Sequence, residues 1–413
     1  MRELHTLSAI GFGGYRITQR SAEHRAALIG ALRSGCTLID TASNYAAGES
    51  EQLIGAVLDD FPDFDPFVVT KAGYVGAENL DYFHGPGSRL AASEIVKVSD
   101  DSYHCLHPDF LRAQIDRSLA NLRRKTVDGF LLHNPEYHFR TDASVYDRIE
   151  RAFCLLEEKV AAGTVRYYGV SSNTLAPRDR PDALQIDELL KIAARVAANH
   201  HFRLVQFPFN LLEFQPATES GGRESLIGYA RRNGLRTFAN RPLNARIGAR
   251  RVRLARTDAS GFALDRDVAI EGLVATLDAR LAAMEIDGSA ADIPAIRHLR
   301  ERWADLDTSE IVADVFEKAV YPAVALLFDG DLPDHVRQSV RAVEASALRS
   351  AQSSMNAATL QMRDALAAQG VIRTNDDRAL DVIACDSLLK AKVDHVLVGM
   401  RRPAYVDSLS GLF

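Results

Sequence analysis

The chain has 413 residues, 47% hydrophobic and 25% charged, with a formal net charge of −6. That balance predicts a well-filled globular core, and nothing in it favours nucleic acid or an anionic membrane surface as a partner. The length admits one large domain with an insertion, or two to three smaller domains.

The first residues, MRELHTLSAIGFGG, hold no long apolar stretch of the signal-peptide kind, and no apolar run approaches the roughly 20 residues that span a bilayer. A first strand is expected at about Ala9–Gly13. Leu38–Thr41 reads as a second, followed by a helix from about Ser50, where Leu53, Ile54, Val57 and Leu58 recur at helical spacing. Phe67–Thr70 reads as a third. A long irregular stretch follows, Tyr74–His107, punctuated by Gly76, Gly85, Pro86 and Gly87. From Pro108 a helix carries Leu111, Ile115, Leu119 and Leu122 on one face. Val127–Leu132 precedes a helix at Tyr146–Ala162, Thr164–Val170 one at Ala183–Ala197, and Leu204–Phe207 one at Arg223–Arg232. Leu235–Phe238 follows, and His395–Val398 stands near the end.

Repeated βα units require parallel strands with right-handed crossovers. Eight of them predict a closed (β/α)8 TIM barrel. An open doubly wound sheet would carry G-x-G-x-x-G after its first strand, and Gly11, Gly13 and Gly14 lack the third glycine at that offset. The expected organisation is residues 1–246 for strands one to seven, a large mostly helical insertion over 247–373 packed on the barrel, and 374–413 for the last βα unit. Within the insertion, Ser339–Ala368 is rich in alanine and leucine, and the lone Trp303 is expected in a core. Cys36, Cys105, Cys154 and Cys385 are scattered without C-x-x-C, so neither a zinc site nor a disulfide framework is expected. A cytoplasmic protein with reduced thiols and no metal fits these features. His200–His201 reads as a helix-end pair rather than a metal site.

In such a barrel, catalytic groups stand at the C-terminal ends of strands and in the loops that follow. Strand two ends in Asp40, with Tyr45 in the loop and Gly48 placed for a tight turn. Strand three, VVTKAG, ends in Lys71, and strand four, FLLHNPE, in His133. A phenol has a pKa of about 10 and is a poor proton source at neutral pH. An adjacent ammonium, Lys71, is expected to lower that pKa, with Asp40 holding Lys71 charged. His133 can donate to the same substrate oxygen. The set suits a carbonyl oxygen that gains negative charge and then a proton.

These residues, with YYGVSSN, LVQFPFNLL, RPLN and VLVGMRRP following in order, resemble the aldo-keto reductase family of (β/α)8 nicotinamide-dependent oxidoreductases. The resemblance implies an Asp40–Tyr45–Lys71–His133 tetrad. It implies that an aldehyde or ketone, a sugar being one option, is interconverted with its alcohol, with Tyr45 as general acid/base. Ser171, with Ser172 or Asn173, and Gln206 correspond to contacts on the nicotinamide carboxamide. Pro242, Leu243 and Asn244 correspond to the loop against the pyrophosphate. Asn240 stands where the family usually stacks an aromatic residue on the nicotinamide. Gly399, Arg401 and Arg402 lie in the last βα unit, where the two arginines suit a 2′-phosphate, so NADP(H) is favoured over NAD(H). Tyr405 and Leu409 depart from the usual adenosine contacts. Arg246, Arg250, Arg251, Arg253 and Arg256 read as a solvated helix face or loop, or as a strap on cofactor phosphates. Tyr74, Tyr82, Phe83, His84 and Tyr103 read either as a wall of a pocket for an aromatic ring or a sugar or as packing on the barrel. The alternative function is a cofactor-binding regulatory or redox-sensing subunit with little turnover.

Overall fold

The structure is a computed structural model that describes residues 4–76, 90–99, 102–140, 145–176, 180, 182–247, 250–256 and 263–413. It divides into two compact units, residues 1–252 with 381–413 and residues 253–380. The first unit is a closed eight-stranded barrel: β1 (Ile10–Gly13), β2 (Leu38–Asp40), β3 (Phe67–Ala72), β4 (Val127–His133), β5 (Val165–Ser171), β6 (Phe202–Pro208), β7 (Arg236–Asn240) and β8 (His395–Val398). Sequence neighbours pair in parallel, and β8 closes on β1 through Ile10–Val396, Gly11–Leu397 and Phe12–Val398. The expected (β/α)8 barrel is therefore the fold.

The strands are buried on nearly all positions, which is why they read as short continuous apolar runs. Leu38, Phe67, Val69, Leu131, Leu204, Phe238 and Leu397 form one cluster contributed by six of the eight strands. Glycine is required where β5 meets β6: a Cβ on Gly169 would stand 1.8 Å from the Leu204 carbonyl oxygen. The helix Glu49–Asp60 follows β2 and buries Leu53, Ile54 and Val57, the face its spacing predicted.

Two stretches differ from expectation. The segment after β3 is not irregular throughout: Tyr74–Val75, Ser102–Cys105 and Ile95–Ser99 form a three-stranded antiparallel sheet, with Ser102–Cys105 in the middle. All three strands lie within the segment, and runs of two to five residues are too short to show a local period. Tyr82, Phe83 and His84 lie outside the described residues. Of the basic run, Arg246, Arg250, Arg251 and Arg253 fall in two short strands, Asn244–Ile247 and Arg250–Arg253, rather than in a helix face or loop, and Arg256 lies beyond them.

The second unit is helical. Arg266–Ala283, Pro294–Glu301, Ser309–Val315 and the 35-residue Asp334–Ala368 surround Leu273, Ile296, Phe316, Val336 and Val343. Trp303 belongs to that core, with the Arg266 guanidinium 5.5 Å from its ring centroid. Among the described residues, no helix is long and apolar enough to cross a membrane.

Candidate active site

Asp40, Lys71 and His133 stand at the C-terminal ends of β2, β3 and β4. The Lys71 ammonium donates to both Asp40 carboxylate oxygens, at 2.7 and 2.8 Å, and to the Thr41 carbonyl at 2.7 Å. Both side chains are buried. Burying one charge alone is costly, and a paired, fully hydrogen-bonded ammonium answers that cost. Tyr45 opens a 3-10 turn, Tyr45–Gly48, ahead of the helix Glu49–Asp60. Ala46 and Ala47 both take left-handed backbone, φ 48° and 55°, and Gly48 follows at 96°. Such strain in non-glycine residues gathers at functional sites.

The turn sets the Tyr45 ring 5.0 Å from the Lys71 ammonium and 6.0 Å from the His133 ring. Tyr15 packs edge-on against Tyr45 at 5.2 Å, and Tyr74 against His133 at 4.9 Å. Burial pushes the Tyr45 phenol well above its ordinary pKa, reinforced by the negative charge of Asp40. This corrects the expectation that Lys71 lowers it. Lys71 is held by Asp40, so Tyr45 faces an ion pair rather than a bare cation. Burial lowers the Lys71 pKa, against the pull of Asp40. Burial, then the Lys71 charge, drives His133 well below its ordinary value, so its imidazole is neutral. Its Nδ1 is buried and makes no hydrogen bond within the protein.

The residues matched to cofactor contacts fall into three groups. Ser171, Gln206 and Asn240, at or near the ends of β5, β6 and β7, are linked. The Ser171 hydroxyl donates to Gln206 Oε1 at 2.8 Å, and Asn240 Nδ2 donates to the same oxygen at 3.2 Å. Gln206 Nε2 donates to Asp40 Oδ1 at 2.8 Å. Both ends of the Gln206 amide are thus engaged, while Asn240 Oδ1 is buried without a partner. Ser172 is buried and bonds Thr174. Asn173 is exposed, and its Nδ2 donates to Asn134 Oδ1 at 3.1 Å. The second group follows β7: Pro242 and Leu243 are buried and Asn244 is exposed. Arg241, in this turn at φ 52°, pairs with Glu213 at 3.0 Å. The third follows β8. Gly399 is exposed, and half-buried Arg402 sits 3.7 Å from Glu23. Burial, then the Arg401 charge, lowers the pKa of neighbouring His24.

Several site residues escaped the sequence reading. Asn134, in left-handed backbone at φ 55°, donates to the Tyr74 hydroxyl at 2.6 Å, and that hydroxyl meets Tyr137's at 3.0 Å. Its position directly after His133 was the available signal. Glu136 is buried and accepts from the Asn173 amide at 2.9 Å, and burial raises its pKa. Nothing local in the sequence marked His104.

The sequence profile of the aldo/keto reductase family matches residues 9–286, and the chain belongs to that family. It is 28% identical over 168 residues to the NADH-specific methylglyoxal reductase of Escherichia coli, covering 41% of this chain and 46% of that one. It is 31% identical over 175 residues to a D-threo-aldose 1-dehydrogenase from a Pseudomonas species, covering 40% and 50%. The chain thus spans about half the length of the curated relatives it matches. Among solved structures, a glycerol dehydrogenase from Gluconobacter oxydans aligns over 98% of this chain and 86% of its own, with a TM-score of 0.50 and 18% identity, a likeness of fold.

Proposed function

We propose that the protein is a nicotinamide-dependent oxidoreductase that interconverts an aldehyde or ketone and its alcohol, with Tyr45 as general acid/base. The observation that carries this reading is the buried Asp40–Lys71 pair, its ammonium 5.0 Å from the Tyr45 ring, with the neutral His133 ring 6.0 Å from the same phenol ring. The residues present fit a nicotinamide. Asn240 Oδ1 and His133 Nδ1 are orphaned polar atoms at the ends of β7 and β4, and Ser171 and Gln206 add an amide-compatible donor and acceptor set. A carboxamide at Gln206 would exchange with one of its present partners.

When bound, a reduced nicotinamide supplies the hydride that the carbonyl carbon accepts. Tyr45 keeps its proton at neutral pH and donates it to the carbonyl oxygen as negative charge develops there. An alkoxide is a far stronger base than a phenolate, so this transfer runs downhill even from a raised phenol pKa. The phenolate left behind faces the Asp40–Lys71 pair, with the Lys71 ammonium 5.0 Å from its ring and held in place by Asp40. Neutral His133 retains one N–H with which to orient the carbonyl oxygen. In the oxidative direction the same groups act in reverse.

Arg401 and Arg402 support NADP(H), because a guanidinium matches a 2′-phosphate. Glu23 beside Arg402 opposes it, and the Escherichia coli relative is named as NADH-specific. The names of both curated relatives, a methylglyoxal reductase and an aldose dehydrogenase, favour a small carbonyl compound or a sugar as substrate. A reducing cytoplasm suits the four free cysteines, three of which are buried.

The test is consumption of NADPH and of NADH by the purified protein against aldehydes, ketones and sugars, with Tyr45→Phe alongside. Consumption that vanishes in the variant while cofactor still binds supports the reading. Equal consumption by the variant removes Tyr45 from its role. Cofactor binding with no consumption by the wild type transfers the site to a regulatory or redox-sensing subunit.

A further inference from the structure

We infer that His104, carried on the strand Ser102–Cys105 outside the barrel, is a positioning residue for His133. The inference rests on the role given to His133 above. The ladder between β3 and β4 ends with Ala72 opposite Leu132, one residue short of His133. His104 takes the place of the next partner: its Nε2 lies 2.6 Å from the His133 carbonyl oxygen. A carbonyl only accepts, so Nε2 carries the proton and Nδ1 is bare. That bare Nδ1 lies 3.0 Å from His138 Nε2, which must then donate. The contact fixes the tautomer of both rings.

Two further observations show that the place is built for this ring. A Cβ on Gly73 would stand 2.4 Å from His104 Nε2 and 2.6 Å from the His133 oxygen, so only glycine there lets the ring reach the carbonyl. Tyr74 packs edge-on against both rings, at 5.5 Å from His104 and 4.9 Å from His133. On the β5 side His133 pairs with Ser171, and the N–H of Asn134, in left-handed backbone at φ 55°, donates to the Ser171 carbonyl at 2.7 Å, so His104 supplies the hold missing on the β3 side. His104 and His138 are buried, and burial holds them near pKa 4 and 2, neutral across the working range. A neutral, fully buried link keeps one geometry, and displacements near 1 Å cost about a hundredfold in rate. Supporting shells of this kind hold a catalytic group in place.

The test uses the full chain with two variants and two readouts. His104→Gln keeps an N–H donor near the Nε2 position, and His104→Phe keeps volume without the donor. In His104→Phe, turnover per cofactor-binding site should fall tenfold or more, with NADPH affinity within about twofold of wild type. His104→Gln should stay within about threefold of wild-type turnover. Histidine ring signals by nitrogen-15 NMR should show His133 shifted in the Phe variant and unmoved in the Gln variant. A purely structural role for His104 would lower the folded fraction and leave these per-site quantities unchanged. If His104→Phe does not fold, Gly73→Ala displaces the ring without removing it and is read by the same signals. An unshifted His133 in a folded Phe or Ala variant overturns the inference. If the wild type reduces no carbonyl, the functional reading fails, and the His133 signals still decide this one.

Discussion

The two units differ most in what they bury. In the barrel unit, Asp40, Glu51, Lys71, His104, Asp128, His133, Glu136, His138 and Arg148 are all buried. In the helical unit, the buried polar side chains among the described residues are Ser346 and Thr359, neither of them ionisable. Removing an ionisable group from water is expensive unless it is paired. The helical unit avoids that expense and is held by ordinary apolar packing around Leu273, Phe316 and Val336. The barrel unit accepts it, and at the strand ends that carry Asp40, Lys71 and His133 a displaced pKa can serve proton transfer. Buried ionisable groups therefore set the unit that holds the candidate site apart from the helical unit.

That contrast breaks most visibly at Tyr45. Tyr45→Phe should lower turnover by roughly 10²–10⁴-fold, the usual worth of a general acid, with cofactor affinity retained. Steady-state rates beside a fluorescence titration of NADPH would check it. Next come paired substitutions, one in each unit. Asp40→Asn leaves the Lys71 ammonium buried without its carboxylate and should cost about 3–5 kcal/mol of stability together with activity. Phe316→Ala should cost a similar 3–5 kcal/mol by opening a cavity, while activity per folded molecule stays unchanged. Urea unfolding monitored with turnover separates the two, and loss of activity in folded Phe316→Ala would erase the contrast.

A smaller effect is pH dependence. His104 and His138 have depressed folded values, about 4 and 2, against about 6.5 when unfolded. The unfolded chain therefore binds more protons as pH falls below about 6.5, and stability declines from there down to about 4 for His104. Each histidine contributes up to about 1.4 kcal/mol per pH unit in its window. His104→Gln should flatten this acid limb in urea melts at pH 5 and 7. The smallest expected effect is Glu23→Gln, which frees Arg402 from its 3.7 Å neighbour. It should shift preference toward NADPH over NADH a few-fold, since exposed ion pairs are worth roughly 0–1 kcal/mol.

Much of the fold was legible because each barrel strand is a short apolar run followed, in most units, by a helix with one apolar face. Phe67–Thr70 extended to Ala72, and His395–Val398 kept its bounds. The excursion after β3 was not legible, since Tyr74–Val75 finds its partner at Tyr103–His104, across a span with no period of its own. At the site, the strand-end positions of Asp40, Lys71 and His133 could be read from where each apolar run stops. The direction of the Tyr45 pKa could not, because it depends on how deeply the phenol is buried and on whether Asp40 has already claimed Lys71.

The sequence by itself determined the order of strands and helices, because alternation and helical spacing are local properties of side-chain polarity. It also determined which polar residues end the strands. Tertiary structure alone decided the partners. Gln206 donates to Asp40 across 166 positions, and His104 reaches the His133 carbonyl across 29. Hydrogen bonds are directional and short-ranged, so those pairings exist only once barrel closure and the turns at Ala46, Gly73 and Asn134 have set the atoms within 3 Å of one another.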